Sequence, residues 1–404
     1  MTDSTDRDPR RWAMLALVAT ALLLGLTEWF TASAVAAELR VRWDLGQGQV
    51  SFLTTVVALG FVAGTAAAAV LNLADILPSR WYFAGSALLA AAANAVLVWS
   101  PGFATGVVLR FLTGFFIAGV YPPAMKMVAT WFRSARGLAI GTAVGALTVG
   151  KATPYLLKAF PGAGFHAVIL GASCAGVIGS LLVAGFYHDG PHAFERRPFT
   201  WRLVGQIVGH RDTMLATGGY LGHMWELYAM WTWVPAFLAV AADQAADTTA
   251  HTWVDLASFG AIAWGGLGCV WGGWAADRIG RGRVVRGAMA VSGACSLGIG
   301  LLLGAPFPVV VVATWLWGFF VVADSAQFSA MVTEVAPSHT VGTALTLQTS
   351  LGFLLTMVTI QGLPVVVDVV GWRWAFAALA VGPAAGIAAI RVLEAHMRSR
   401  TARP

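Results

Sequence analysis

Residues 272–283 read GGWAADRIGRGR. Asp277, Arg278, Arg281 and Arg283 crowd into one short turn, with Gly280 and Gly282 to let it bend tightly. On either side run apolar stretches, 252–275 and 283–304. Each is long enough to cross a bilayer, which takes about 17–25 residues. A charged, glycine-bearing turn between two such stretches belongs at the membrane–water boundary, and the same alternation extends over the whole chain.

Working outward, the apolar stretches predict twelve spans: span 1 at 12–38, span 2 at 47–72, span 3 at 81–99, span 4 at 103–130, span 5 at 136–158 and span 6 at 164–187, then span 7 at 213–241, span 8 at 252–275, span 9 at 283–304, span 10 at 307–333, span 11 at 340–365 and span 12 at 372–393. The composition agrees. Of 404 residues, 58% are hydrophobic and 11% charged, and the mean hydropathy is +0.73. A soluble domain carries about 25% charged residues, so this chain cannot cover itself with charge. Disordered, collagenous and disulfide-scaffold classes are excluded. Span 1 is too long for a removable leader and lacks a small-residue cleavage site.

The net charge of +6 comes from short basic runs between spans, not from a patch that would hold nucleic acid. With the N-terminus inside, 18 Lys and Arg fall on the inner side, among them Arg7, Arg80, Arg133, Arg196, Arg197 and Arg403. Only 4, Arg40, Arg42, Lys158 and Arg373, fall outside. This bias places both termini in the cytoplasm of a cell whose inner membrane the chain crosses. The use of 22 Arg against 3 Lys matches a GC-rich bacterial gene. Cys174, Cys269 and Cys295 lie inside apolar stretches without metal-ligand spacing and read as small buried hydrophobes.

The chain is an internal repeat. GLTEWFTASAV (25–35) matches HMWELYAMWTW (223–233), which sets Glu28 over Glu226. NLADILPSR (72–80) falls on GWAADRIGR (273–281), RFLTGFFIAG (110–119) on TWLWGFFVVA (314–323), and GFHAV (164–168) on GWRWA (371–375). The offsets rise in order, 198, 202 (Asp75 over Asp277), 204 and 207, as a duplicated six-helix unit requires. The expected fold is all-α and membrane-integral, with two pseudo-symmetric six-helix bundles at 1–187 and 213–404 joined by a cytoplasmic linker at 188–212. Paired repeats of this kind imply a transporter with its site between them.

The turn at 272–283 resembles the loop signature of the major facilitator superfamily, G-x-x-x-D-R-x-G-R-[RK]. Gly273, Asp277, Arg278, Gly280 and Arg281 match it, with Gly282 where the family often has a base. The first-half copy keeps Asp75 and Arg80 but has Asn72 and Ile76 in place of Gly and Arg. RFLTG (110–114) resembles the family's span 4 arginine motif, and WFRSARGLAIG (131–141) the span 4–5 junction of its organic-anion members. The resemblance implies alternating access by rocking of two six-helix bundles around a small-molecule site. Asp75, Arg80, Gly273, Asp277, Arg278 and Arg281 are then gating candidates, a charge network that latches the cytoplasmic face.

A charge at mid-bilayer costs about 2.5–3.5 kcal/mol on insertion scales, so each one needs a reason. Glu28 and Arg110 lie about 15 Å and 10 Å from the outer ends of spans 1 and 4 at the helical rise, and they are expected to pair. The balance between the guanidinium's charge and desolvation would decide whether Glu28 holds a proton. Glu226 has no such partner, because Arg110 maps onto Thr314. His223 precedes it by one turn on the same face, which predicts a His–Glu proton relay. Lys151 stands about 22 Å into span 5, near the midplane and too deep to snorkel. Its counterpart is Thr356, so the fold does not demand it, and a lone cation there suits an anionic substrate group. Pairing with Glu28 or Glu226 is the alternative. Tyr121 and Lys126 extend a polar track, although Lys126 sits near the cytoplasmic end, where it can snorkel. Asp324 in span 10 has three open roles: partner of Lys126, partner of Lys151, or proton carrier.

Trp225, Tyr228 and Trp231 share one side of span 7, where they either stack on a substrate or pack the core. Trp12, Trp43, Trp81, Trp99 and Trp131 read as interfacial anchors. Gly137, Gly141, Gly145 and Gly150 line span 5. They read as a close-packing stripe, because Ala146 stands where the glycine-rich motif of drug exporters has Pro. Phosphate-loop, G-x-S-x-G and H-E-x-x-H motifs are absent. The expectation is a monomeric, cofactor-free, non-enzymatic carrier of a small organic anion, with protons as the coupling partner. Arg110, Lys151, Tyr121, Trp225 and Tyr228 are its substrate candidates, and Glu28, Glu226, His223 and Asp324 its proton candidates. Proton-coupled efflux of amphipathic drugs is the competing expectation.

Overall fold

The computed structural model describes residues 8–192, 200–245 and 249–401. Arg7, Arg196, Arg197 and Arg403 lie outside these residues, as does the side chain of Asp75. The described residues form helices and turns, with no strand among them. The twelve predicted spans are present, in two six-helix bundles. Span 1 runs as three segments, Arg10–Gly25, Thr31–Ala34 and Ala36–Trp43. Spans 2 to 6 are Gln47–Val70, Ser79–Trp99, Phe103–Trp131, Arg136–Lys158 and Phe165–Phe186. Spans 7 to 12 are Arg211–Gln244, Ala250–Ile279, Arg281–Leu302, Phe307–Val335, Ser338–Val370 and Trp372–Ser399. Among the described residues, nine of these are long and apolar enough to cross a membrane by length and composition. The other three, spans 1, 5 and 7, are the ones that carry Glu28, Lys151 and Glu226.

Three spans are broken, and one break has a local cause. Span 4 stops at Ile117 and restarts at Tyr121, with Pro122 and Pro123 in the new first turn. Neither proline has an N–H to return to the preceding turn, so the helix must reset there. Span 10 breaks at Asp324, the repeat equivalent of Val120 at the offset of 204. Span 1 is interrupted from Leu26 to Phe30 without any proline. Its freed carbonyls are met from other spans, as described below. Span 7, its repeat, is one unbroken helix.

The bundles meet along spans 5 and 8 and along spans 2 and 11. On the face that carries the termini, here the terminus face, the stripe of span 5 lies against span 8 backbone to backbone. A Cβ on Gly141 or Gly145 would stand 2.8 Å from the Cys269 carbonyl oxygen and 2.6 Å from that of Gly266. Glycine is what allows this approach. Toward the far face, Ser51 Oγ of span 2 donates to Gln361 Oε1 of span 11 at 3.1 Å, and Gln361 Nε2 donates to Thr55 Oγ1 at 2.9 Å. Trp12, Trp81 and Trp99 are exposed, as anchors should be. Trp131 is not: it is buried and donates to the His188 carbonyl at 2.9 Å. Trp43 packs where a Cβ on Gly106 would stand, and its indole N–H is buried.

Candidate functional site

Lys151 sits where the two bundles touch and is 4% exposed. Pro154, one turn later, has no N–H to offer the Gly150 carbonyl, and Gly150 itself lets the Leu23 carbonyl of span 1 press against span 5. The ammonium donates to the Tyr228 hydroxyl. It lies 4.2 Å from the ring centre of Trp29, 4.7 Å from that of Tyr228 and 5.5 Å from that of Trp231. Phe353 closes the group, with its ring 5.2 Å from Tyr228, 5.6 Å from Trp29 and 4.6 Å from Phe61. The rings come from spans 1 and 2 of one bundle and spans 7 and 11 of the other. Among the described residues no carboxylate lies within ion-pair range of Lys151, so neither Glu28 nor Glu226 is its partner. The rings of Trp29 and Trp231 and the hydroxyl of Tyr228 offset the ammonium's loss of water. A desolvated cation–π contact is worth about 2 kcal/mol.

Glu28 and Arg110 are neighbours, but their head groups are not hydrogen-bonded. Arg110 Nη1 donates to the Glu28 backbone carbonyl at 2.9 Å, to Thr31 Oγ1 at 2.8 Å and to Asn94 Oδ1 at 3.0 Å, and its Nη2 donates to the Trp29 carbonyl. The expected ion pair is therefore a cap. The guanidinium satisfies carbonyls that the break in span 1 sets free, which a buried backbone requires. Thr27 Oγ1 adds bonds to Leu24 and Ala172 carbonyls at 2.7 and 2.9 Å. Span 7 has Thr314 opposite it instead of Arg, and it needs no such cap because it is unbroken. The Glu28 carboxyl points away from Lys151, against Gly176 of span 6 and beside Ala91 of span 3. Both its oxygens are buried without a hydrogen-bond partner.

The second bundle reverses this. Glu226 accepts from Ser292 Oγ at 2.9 Å, from Trp317 Nε1 at 2.8 Å and from Ser296 Oγ. Ser296 stands at the repeat position of Asn94, at the offset of 202. His223 makes no hydrogen bond to Glu226. Its Nδ1 lies 2.9 Å from Asp324 Oδ1 across spans 7 and 10. Among the described residues that is the one such contact of Asp324, so its expected pairings with Lys126 and Lys151 are not made.

The other candidates divide. Tyr228 lies in the ring cluster, whereas Trp225 is turned to span 12 and donates to the Ala378 carbonyl at 3.2 Å. Tyr121 opens the second segment of span 4, half-buried and without a contact to Lys151. Trp29 and Phe353 were missed by sequence reasoning, although Trp29 adjoins Glu28. Asn94, a polar residue in an apolar span, was a signal that could have been read.

On the terminus face, Asp277 reaches across the bundles. Its carboxylate oxygens lie 2.6 and 2.7 Å from where a Cβ on Gly137 would stand, at the first turn of span 5. A helix N-terminus carries about half a positive charge, so the carboxylate is well placed. Gly273 is equally tight, with a would-be Cβ 2.6 Å from the Gly137 carbonyl oxygen. The motif arginines stay within their own bundles. Arg281 donates to Glu334 at 2.7 Å and Gln327 at 2.8 Å, Arg278 stacks 4.0 Å over Trp274, and Arg80 donates to the Ala184 carbonyl. The expected arginine network is thus a single carboxylate set on a helix end.

No curated protein matches the chain. The sequence model of the Major Facilitator Superfamily matches residues 17–359, from the first span into the eleventh. With twelve spans, a doubled bundle and a polar centre where the halves meet, the chain belongs to the Major Facilitator Superfamily of membrane transporters.

Proposed function

We propose that this transporter carries a small organic anion together with a proton, by alternating access, as a monomer. The first bundle is taken as 1–187, the linker as 188–212 and the second bundle as 213–404. The inner membrane is its location, with both termini in the cytoplasm, from the distribution of Lys and Arg.

One observation carries the reading. Lys151 is buried between the bundles with aromatic rings and a hydroxyl around it and, among the described residues, no acid to neutralise its ammonium. A carboxylate cargo would supply the missing charge in the geometry of a buried charge-assisted pair. The proton belongs to Glu28 in this reading, in preference to Glu226. An ionised carboxylate enclosed without one hydrogen bond is costly in a bilayer, so Glu28 must be neutral whenever it is shut in as here. It can release its proton when the first bundle admits water. Trp29, its chain neighbour, touches Lys151. The break in span 1 therefore joins the proton group to the cargo group through one residue. Glu226, held by three donors, positions spans 7, 9 and 10.

The test is uptake of labelled mono- and dicarboxylates into proteoliposomes under an imposed acid-outside gradient. The reading expects accumulation by the wild type and none by Lys151→Gln at equal protein. Equal accumulation by both would remove it. Efflux of amphipathic compounds is the second reading, favoured by the aromatic walls around Lys151. It expects resistance to such compounds in cells, and Lys151→Gln should leave that resistance in place.

A further inference from the structure

The rings around Lys151 do something a binding site alone does not need. Lys151 and Trp29 ride on the first bundle, whereas Tyr228 and Trp231 ride on the second. The cluster is complete only when the bundles close. With the bundles in contact, Lys151 meets the rings of Trp29 and Trp231 and the hydroxyl of Tyr228, and no carboxylate among the described residues. A carrier that shuts an uncompensated ammonium into a bilayer faces a barrier set by desolvation. A carrier that shuts it against ring faces does not, because the quadrupoles stand in for an anion. The stabilisation is also conditional on closure, which is what a contact must be to change a conformational equilibrium.

We propose that Trp231, with Tyr228, acts as a surrogate counter-ion that lets the empty carrier close and return, so that the protein performs net transport and is not confined to one-for-one exchange. This rests on the reading of Lys151 as the anion site. Trp231 is the cleaner reporter. Its indole N–H is buried without a partner, so the ring face, and not a hydrogen bond, is its contribution. Its other neighbours are rings, Phe30 at 6.2 Å and Tyr228 at 5.3 Å.

Two fluxes separate the roles. Counterflow requires only the loaded carrier to cross, whereas net uptake also requires the empty carrier to return. Purified protein is reconstituted and assayed with labelled pyruvate and labelled succinate in both modes, with melting temperature recorded for each variant. Trp231→Leu is expected to lower the ratio of net uptake to counterflow by about thirtyfold, the effect of losing one desolvated cation–π contact. Trp231→Phe, which keeps a ring face, is expected to restore the ratio to within about threefold of the wild type. An unchanged ratio in Trp231→Leu, or a Trp231→Phe variant no better than it, overturns the inference. Should Trp231→Leu fail to fold, Trp231→Phe against Trp231→Met decides on the same ratio. If the wild type shows no counterflow of either anion and Lys151→Gln changes nothing, the anion reading itself is at fault, and the inference falls with it.

Discussion

Lys151→Gln and Lys151→Arg divide charge from geometry at the centre of the molecule. Arginine keeps the charge but replaces a compact ammonium with a planar fork, while glutamine keeps a polar tip without charge. We expect anion uptake to fall about a hundredfold or more in Lys151→Gln, in line with the loss of a buried charge-assisted contact. Lys151→Arg should retain a measurable fraction. Initial rates in proteoliposomes of known protein content check both. Glu28→Gln is expected to transport without response to an imposed pH gradient, because the side chain can no longer exchange a proton. An unchanged response would place the proton elsewhere. Arg110 is a different case, since its removal orphans the Glu28 and Trp29 carbonyls. Each unmet buried group costs about 1–3 kcal/mol, so Arg110→Met should melt well below the wild type, with Arg110→Lys between them. At this scale the sequence was half readable. Lys151 stood out because its repeat partner is Thr356. The partners of Glu28, Glu226 and His223 did not, because depth along a helix says nothing of which way a side chain turns. A carboxyl and a guanidinium at like depth proved to share a backbone rather than a bond.

Elements show the same division between pattern and contact. Apolar length located every span to within a few residues, since the bilayer sets that length whatever the packing. The break in span 1 was not legible, because it contains no proline and its cause lies in span 4. The acceptors of Arg110 are backbone atoms, which no sequence displays. The stripe Gly137, Gly141, Gly145 was legible as a packing surface, and its partner is the Gly266–Gly273 strip of span 8. Gly145→Val should therefore force spans 5 and 8 apart on the terminus face. The prediction is checked by spin labels on the terminus ends of spans 5 and 8, whose separation should lengthen relative to the wild type. Asp277→Asn removes a charge from the start of span 5. That interaction is worth about 0.3–1 kcal/mol, so the population open on the terminus face should rise by about two- to fivefold. Gly137→Ala intrudes on the same carboxylate and should act in the same direction.

The whole molecule is a duplicated unit whose two halves have diverged in their polar interiors. The first half has a broken span, a capping guanidinium and an enclosed, unpartnered carboxyl. The second has an intact span and a carboxyl with three donors. Lys151 and Glu28 thus lie in one half, and most of the rings that enclose Lys151 come from the other. Rocking one half on the other would open the cluster to one side or the other while Lys151 and Trp29 stay together. The direct measurement is thiol labelling of Phe353→Cys in a variant without Cys174, Cys269 and Cys295. An impermeant reagent is applied from each side of oriented vesicles, with and without labelled anion. The account predicts modification from both sides, slowed by the transported anion. A thiol that stays unmodified from both sides in every condition would mean that the ring cluster never opens, and the account would be wrong.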